Sequence, residues 1–451
     1  MTDITQAIPV PRHARSGSLL VQDALMRRRK AAETRFKAYG IAAIMISLAT
    51  LAIMLWTIFS DGLSAFQQAR LDFPVTLTAE KLDPKGNRTL AEMQKITTLG
   101  YAKVIEASFA AELASQAIAT EGLDADAISA LISKEAPGEL RAMVLADPML
   151  LGTTIDVSVL ANGRIDGFLK GRVTMQSATN DSNITPEQLS LATALQAAGM
   201  LEQSFNWRFL TSPDASDQRP EAAGLGVAII GSAYMMILVL ILSLPIGVAA
   251  SIYLEEFAPK NRWTDLIEIN ISNLAAVPSI VFGILGLAIF INFAGLPQSS
   301  ALVGALVLTL MTLPTIIIAT RSSLRAVPPS IRDAALGVGA SRMQTVAHHV
   351  LPLAAPGILT GAILGLATAL GETAPLLLIG MVAFVDNYPG APISGFLDPA
   401  TALPVQVFGW AQRSDPAFVE RSAGAIIVLL GFLLIMNLVA IFLRRKFERR
   451  W

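Results

Sequence analysis

One carboxyl group stands apart in this sequence because it lies inside a long apolar stretch. Glu372 is followed by Thr373 and by Pro375, within an otherwise apolar segment that covers residues 356–380. An ionised carboxylate at the centre of a bilayer costs about 3 kcal/mol, so such a group faces a bundle interior or water. Pro375 also loosens the helix, since it cannot donate a backbone hydrogen bond. We therefore expect Glu372 and Thr373 to line or gate a pathway; the alternative is a structural carboxylate bonded to a neighbouring helix.

The chemistry open to Glu372 is that of a gate. It would hold an arginine or share a proton, and Arg321, just after the preceding apolar segment, is the nearest candidate in the chain; a partner subunit could supply another. An intramembrane enzyme would need a second catalytic group, and no histidine, cysteine or second acid lies well inside an apolar segment. With no cysteine and only three histidines, no metal cluster is expected either. No Gly-Lys dipeptide is present, so the chain lacks the phosphate-cradling loop of ATPases, and we predict a non-catalytic chain without a cofactor.

A polar loop, residues 321–355, separates two apolar runs. Positive charge is retained on the cytoplasmic side during insertion, so this loop should be cytoplasmic, and Arg325 and Arg332 are read as topology determinants. The loop has four arginines: Arg321, Arg325, Arg332 and Arg342.

The same loop has the signals of two short helices. Ser330 is placed to cap the first helix, with Asp333 in its first turn, where a carboxylate favours the free amides. Gly337 and Gly339 would end that helix, and a second helix would run from about Ser341 to residues 351–352. The polar loop is therefore predicted to be a knob of two helices bent at the glycines.

Six segments are long and apolar enough to cross a membrane. They are residues 38–60, 225–254, 266–293, 301–320, 356–380 and 423–443. The segment 1–37 holds eight Lys/Arg and three acids and would be cytoplasmic and retained, as would the basic C-terminus. In the fifth segment Gly357, Gly361 and Gly365 form a small-residue face suited to close helix packing.

Residues 61–222 have a different character, with 13 basic and 21 acidic residues. They predict an extracytoplasmic α+β domain inserted after the first spanning helix. Its predicted elements include a strand at 75–79, a helix at 90–119, and strands at 154–160 and 167–175 joined in a hairpin by Asn162-Gly163. Docking of a binding protein and packing with a partner subunit both remain open as its role.

The polar loop resembles the coupling motif of ABC importer permeases, which reads Glu-Ala-Ala, three residues, Gly, nine residues, Ile, one residue, Leu-Pro. The matching positions here are Asp333, Ala334, Ala335, Gly339, Leu351 and Pro352. Asp333 replaces the glutamate, and His349 replaces the isoleucine with a polar ring. The resemblance implies that the knob docks in a groove of a separate ATPase and transmits its motion; an ordinary helical hairpin is the alternative.

From about residue 225 onward the sequence also resembles the PstA family of phosphate-specific permeases. The matching pieces are AVPSIVFG from Ala276, LPTII from Leu313, the polar loop, and GETAPLL from Gly371. The resemblance implies a mostly α, polytopic fold of the type I ABC importer class, with a MetI-like core and six transmembrane helices. The first helix and residues 61–222 resemble an N-terminal extension of some members.

The same resemblance implies partners and a location. The partners would be a second permease subunit PstC, an ATPase dimer PstB that binds the ATP, an extracytoplasmic phosphate-binding protein PstS, and the lipid bilayer, but no nucleic acid. The location would be the bacterial inner membrane, with both termini cytoplasmic and residues 61–222 periplasmic. Alternatives are a permease for molybdate or sulfate, and a membrane-anchored sensor or scaffold built on residues 61–222.

Overall fold

The computed structural model describes residues 24–83, 86, 88–120, 122–381 and 384–447. The basic segments before residue 24 and after residue 447 therefore lie outside the described residues. The chain divides into two compact units, with the division between Thr57 and Ile58. The first unit is the greater part of helix α1 (Ala24–Gly62), whose sequence is long and apolar enough to cross a membrane.

The second unit begins with a small α+β domain. Its elements are β1 (Gln67–Thr76), α2 (Ala79–Leu82), α3 (Leu90–Met93), α4 (Thr98–Ser115), α5 (Ala125–Ser129), α6 (Ala136–Ala146), β2 (Thr154–Leu160), α7 (Gly163–Leu169), α8 (Met175–Ala178), α9 (Pro186–Ala197), β3 (Leu201–Phe205) and α10 (Trp207–Thr211).

The three strands form one antiparallel sheet in the order β2-β1-β3. Leu71 of the central strand lies opposite Val159 on one side and Leu201 on the other. The buried residues Leu71, Phe73 and Val75 alternate along β1, so one face of the strand packs on the helices, as the two-residue period of a strand requires. The sheet and α4, α6 and α9 thus enclose a core of their own.

The predicted hairpin in this domain is wrong. The predicted strand at 154–160 is present, but Asn162 accepts a hydrogen bond from the Arg164 backbone and caps α7, so residues 163–169 are helical. An Asn-Gly pair serves a helix start as well as a turn, because the asparagine oxygen satisfies a free amide. The partner of β2 is instead β1, far earlier in the chain. The predicted helix at 90–119 is two helices, α3 and α4.

The rest of the second unit is a helical bundle. Its helices are α11 (Gly226–Ile252), α12 (Arg262–Ala275), α13 (Ser279–Gly286), α14 (Ala301–Arg325), α15 (Pro329–Gly337), α16 (Arg342–Thr345), α17 (Leu351–Gly371), α18 (Ala374–Leu378), α19 (Leu403–Ala411) and α20 (Pro416–Phe447). Short π-helical turns follow α11, α13 and α16, at Tyr253–Phe257, Leu287–Phe293 and Val346–Val350.

Among the described residues, five helices are long and apolar enough to cross a membrane, or six if one bent pair counts as a single span. That pair is α12 and α13, which meet at 101°. The proline-bent span predicted at 266–293 is therefore two helices that meet at an elbow. Pro278 causes the break, since it has no amide to donate and disfavours helical conformation in Val277 before it.

Helix α14 lies between α11 and α17 and forms the centre of the bundle. Its buried face joins α11, α13, α17 and α18 in one apolar cluster that includes Met235, Val307 and Leu370. A separate cluster, with Phe209 and Trp410 at its centre, joins the α+β domain to α19 and α20. The domain and the bundle therefore share an apolar interface.

Candidate functional site

The polar loop forms a knob, residues 328–350, made of α15, α16 and the π-helical turn after them. Gly339 has φ +90°, a conformation that glycine adopts without strain, and it turns the chain between the two helices. Ser341 caps α16 by accepting from the Gln344 backbone, and Gln344 returns the bond. Pro328, rather than the predicted Ser330, precedes α15, which places Asp333 beyond the first turn.

The tip of the knob exposes apolar side chains. Leu336, Val338 and Met343 flank the Gly339 turn and are 44%, 86% and 64% exposed. Asp333 and Ala334 are also exposed, whereas Ala335 is buried. An exposed apolar group rimmed by polar residues is typical of a surface that binds another protein.

His349, which departs from the family motif, is exposed and therefore replaces no packed core residue. Leu351 and Pro352 open α17 instead of ending a helix, because residues 342–371 run through the π-helical turn as one continuous helix. The base of the knob packs in its own apolar cluster, whose members are Leu324, Val327, Val350, Ala354 and Ile358. The knob is thus fixed to the ends of α14 and α17.

Salt bridges also hold the knob. Arg332 of α15 reaches Glu256, in the turn after α11, with Nη2 2.7 Å from Oε1 and Nε 3.2 Å from the same oxygen. Its guanidinium further donates to the backbone carbonyls of Val327 (2.7 Å) and Leu324 (2.9 Å). A planar guanidinium with several such bonds is fixed in orientation, so α15 cannot move without the end of α11.

Two more arginines continue the series. Arg325 Nε lies 2.9 Å from both carboxylate oxygens of Glu255. Arg321 lies between two acids: its Nε is 3.4 Å from Glu255, and its Nη2 donates to Glu268 of α12. We call these six side chains, Glu255, Glu256, Glu268, Arg321, Arg325 and Arg332, the ion-pair ladder.

The ladder corrects two sequence predictions. Arg321 pairs with Glu255 and Glu268 rather than with Glu372, and Arg325 and Arg332 have structural partners beyond any role in topology. Glu255 and Glu256 were not predicted to be functional residues, although they end an apolar run directly before a basic stretch. The signal available was a pair of adjacent acids on a connection predicted to lie on the same side of the membrane as the arginines of the polar loop.

Glu372 and Thr373 lie in a break between two helices. Helix α17 ends at Gly371, Glu372 is extended (φ −81°, ψ 124°), and α18 begins at Ala374. The prediction that Glu372 lies well inside a helical span is therefore wrong, because Pro375 near the start of α18 ends the helical hydrogen bonding. Glu372 is partly buried, and within the described residues its carboxylate has no hydrogen bond or ion pair.

Helix α13 approaches this break closely. A Cβ atom at Gly283 would lie 2.7 Å from the Pro375 Cα and 2.9 Å from its carbonyl oxygen, so only glycine fits there. Three residues on, Gly286 is packed as tightly against Val307 of α14. The short helix after the break is therefore fixed against α13, which itself begins at the elbow.

The glycine face of α17 packs on α14. A Cβ atom at Gly361 would lie 2.3 Å from the Ala319 Cβ, and one at Gly357 would lie 2.3 Å from the Ser323 hydroxyl. Gly365 is less crowded, with Ile316 at 3.4 Å. The glycine face predicted from the four-residue spacing is therefore the face of α17 that packs on α14.

A second ionic cluster joins the α+β domain to the start of α20. Lys170 lies 2.7 Å from Asp166 and 2.9 Å from Glu420, and its side chain is only 2% exposed. Arg172 Nε contacts Glu420 Oε2 at 2.5 Å as an ion pair, without hydrogen-bond geometry. Arg421 donates to the backbone carbonyls of residues 221 and 223, at 2.8 Å each. We call Asp166, Lys170, Arg172, Glu420 and Arg421 the domain clamp.

Two more acids lie beside the clamp. Glu221 accepts a 2.5 Å bond from the Ser133 hydroxyl, and its burial raises the pKa of its carboxyl above the ordinary value of a glutamate. Asp214 accepts from the Trp410 indole (2.8 Å) and from Arg413 (2.7 Å). The domain is therefore bonded along its base to α19 and α20.

Two family models match the chain. Residues 243–451 match the family described as binding-protein-dependent transport system inner membrane component. Residues 23–179 match a domain of unknown function, DUF3333.

Two relatives agree with the first match. The probable ABC transporter permease YqgI of Bacillus subtilis is 33% identical over 231 residues, which are 49% of this chain and 78% of that protein. The phosphate transport system permease PstA of Xylella fastidiosa is 32% identical over 228 residues, 50% of this chain and 77% of that protein. Among solved structures, a chain of the methionine ABC transporter MetNI in an inward-facing conformation has a TM-score of 0.38 and 15% sequence identity. The match covers 49% of this chain and 97% of the MetNI chain.

Proposed function

This chain belongs to the ABC transporter permease family of binding-protein-dependent inner membrane components, and we propose that it is a permease subunit of an ATP-driven phosphate importer. Membership of this family implies a multi-pass membrane protein that works with an ATPase and a substrate-binding protein. Phosphate as the substrate is supported by the permeases named PstA among the relatives and by the GETAPLL motif.

The observation that carries the proposal is the knob. It is a folded projection, anchored by its own apolar cluster and by Arg332, and it exposes an apolar tip around Gly339. A surface of this kind suits a groove on another protein. We assign to it the docking of an ATPase dimer of the PstB kind, which supplies the ATP site that this sequence lacks.

In the complete importer this chain pairs with a second permease of the PstC kind and receives phosphate from a PstS-like binding protein. ATP binding brings the ATPases together, the knob moves with them, and the bundle changes between inward- and outward-facing states. Nucleotide at one end and substrate at the other shift the same two-state equilibrium. The chain itself conducts and does not catalyse.

The proposed orientation puts the knob in the cytoplasm. The ends of α14 and α20 carry arginine and lysine at Arg325, Arg444, Arg445 and Lys446, and positive charge of this kind is retained on that side. Helix α14 then runs from the periplasm at Ala301 to the cytoplasm. Both termini are cytoplasmic under this assignment, and residues 61–222 are periplasmic.

Glu372 is assigned to the gate. Broken helices place free backbone groups and polar side chains at the substrate level of many transporters, and the carboxylate at this break has no partner among the described residues. A carboxylate repels phosphate, so it acts on the path indirectly, by holding a cation of the second permease or a proton. Thr373 follows it in the same break.

The experiment is co-purification of the chain with its ATPase, second permease and binding protein, followed by reconstitution in liposomes. We expect phosphate-loaded binding protein to stimulate ATP hydrolysis and labelled phosphate to accumulate. Stimulation by molybdate or sulfate alone would contradict phosphate as the substrate. Intact uptake after deletion of residues 333–339 would remove the docking role and favour a scaffold built on the α+β domain.

A further inference from the structure

The geometry points to α12 and α13 as the part that carries motion from the knob to the gate, with Glu268 as its positioning residue. Such a route has a role only if the knob receives motion from an ATPase, so it rests on the proposed function. Energetic coupling between distant sites is carried by contiguous packed side chains and ion pairs. Here every link between knob and gate is a contact of the described chain.

The first link joins the knob to the end of α11. Arg332 holds Glu256 through two nitrogen atoms, and Arg325 holds the adjacent Glu255 through one nitrogen that faces both oxygens. The side chains of Arg332 and Glu256 are only 21% and 12% exposed. Partial burial reduces screening by water, so this link is stiffer than an ion pair on an open surface.

The second link passes the motion to α12. Arg321 is 12% exposed and contacts Glu255 on one side and Glu268 on the other. Within the described residues, this is the only ion pair that α12 makes, and its neighbour Asp265 is exposed and has no partner. Among the described residues, helix α12 is therefore linked to the rest of the ion-pair ladder through one charged side chain, that of Glu268.

The third link is the elbow and the helix beyond it. Helix α13 begins three residues after α12 and turns by 101° at Pro278, so a shift of α12 along the bundle end becomes a shift of α13 within it. At Gly283 the next contact is backbone against backbone, since Pro375 leaves no room for a Cβ atom. Pro375 lies in α18, which starts directly after Glu372 and Thr373. Displacing α13 therefore displaces one side of the gate.

The test measures phosphate uptake per ATP hydrolysed in the reconstituted importer. Glu268→Gln removes the charge at the link, and we expect ATPase binding and hydrolysis to persist while uptake per ATP falls by about tenfold. Glu268→Asp keeps the charge and should recover most of the coupling. The matched control is Asp265→Asn, which removes an acid from the same helix where no ion pair exists.

A second variant tests the far end. Gly283→Ala forces a Cβ atom against Pro375 and should give the same loss of uptake with hydrolysis retained. Gly431→Ala, in α20, meets nothing within 4 Å and is its control. Since the two positions lie on different helices, either variant decides the matter if the other fails to fold.

A direct readout uses the absence of cysteine from the sequence. Gly371→Cys places a single thiol at the gate, where its Cβ meets no atom within 4 Å. We expect its rate of reaction with a maleimide to change on ATP binding, and that change to be lost in the Glu268→Gln background. If unaltered protein takes up phosphate but Glu268→Gln keeps both the coupling and the ATP-dependent change, the route is wrong. If unaltered protein neither binds an ATPase nor transports, the proposed function itself fails.

Discussion

At the scale of single residues, the gate and the knob depend on different properties. Under the proposed function Glu372 acts through its charge, because it lies at a helix break and its carboxylate has no hydrogen bond or ion pair within the described residues. Gly339 matters through backbone freedom, because its φ of +90° is strained for any other residue. Each property predicts a variant whose effect differs from that of a general loss of stability.

We expect Glu372→Gln to lower phosphate uptake by roughly tenfold or more, because an intramembrane carboxylate that holds a cation or proton loses that ability as an amide. The two side chains have nearly the same volume, so folding should be retained. Uptake by proteoliposomes, normalised to the amount of folded importer, measures the effect. Uptake at the unaltered rate would leave Glu372 with a structural role only.

Gly339→Asp should abolish ATPase docking while the permease still inserts in the membrane. A side chain at this φ costs about 1–2 kcal/mol, and the new charge lies among the exposed apolar residues of the knob tip. Co-purification of the ATPase with the variant measures docking. Gly337→Asp, two residues earlier but within α15, separates the backbone requirement from the added charge. Equal docking by both variants and the unaltered protein would contradict the assignment of the knob.

Motif residues of the knob could be identified from the sequence, whereas the ion pairs around the knob could not. Asp333, Gly339 and Pro352 are recognisable from fixed spacing, because a motif preserves order along the chain. The pairing of Arg321 depends instead on the bend between α12 and α13, because α12 then lies with Glu268 at the end of α14. No spacing along the chain reports such a contact, and Glu372 was the wrong partner for that reason.

At the scale of elements, the domain clamp makes the α+β domain part of the bundle. Asp166, Lys170 and Glu420 are each at most 5% exposed at the side chain, and the clamp links α7 with the first turns of α20. Burial of opposite charges demands a complete set of partners, because an ion left alone loses its hydration without compensation. The junction should therefore be sensitive to the loss of any one member.

We expect Glu420→Gln to destabilise the folded protein by about 3 kcal/mol, because buried Lys170 and partly buried Arg172 then share a single carboxylate, that of Asp166. The apparent melting temperature in detergent measures the change. Glu202→Gln, on the exposed face of β3, is the control and should have little effect. A melting temperature unaffected by Glu420→Gln would mean that water reaches the clamp.

Glu221→Gln should act in the opposite direction and depend on pH. Burial raises the pKa of Glu221 in the folded chain, so the folded state binds more protons than the unfolded state between the two pKa values. The stability of the unaltered protein therefore rises as the pH falls from neutral towards the unfolded pKa. We expect the variant, which has no ionisation cost there, to gain most in melting temperature at pH 8 and less at lower pH. A difference that is the same at all pH values would contradict this.

The elements themselves were predictable where a regular pattern determined them. Long apolar runs predicted six membrane spans, since hydrophobic length alone decides such segments. Among the described residues five helices meet that requirement, or six if the bent pair is one span. The elbow at Pro278 and the pairing of β2 with β1 were missed. A proline permits either a mild kink or a full break, and a strand partner far away in sequence is chosen by packing of the whole core.

At the scale of the whole molecule, the second unit holds the knob, the break at Glu372 and the α+β domain in one packed body. The knob, the gate and the α+β domain are all connected to the same bundle by apolar clusters and buried charges. The family of that bundle was predictable from its motifs, whereas the domain gave no motif of known role and its attachment emerged only from the clamp. A sensor tethered loosely to a membrane anchor would not need such a junction.

The uninterrupted helix from Arg342 to Gly371 also sets a mechanical scale. Its 30 residues, at about 1.5 Å each, make a rod about 45 Å long, with the knob at one end and the broken segment at the other. Gly357 and Gly361 pack this rod closely against α14. The rod therefore keeps its two ends at a fixed separation, and it is the rigid frame against which the proposed movement of α12 and α13 would take place.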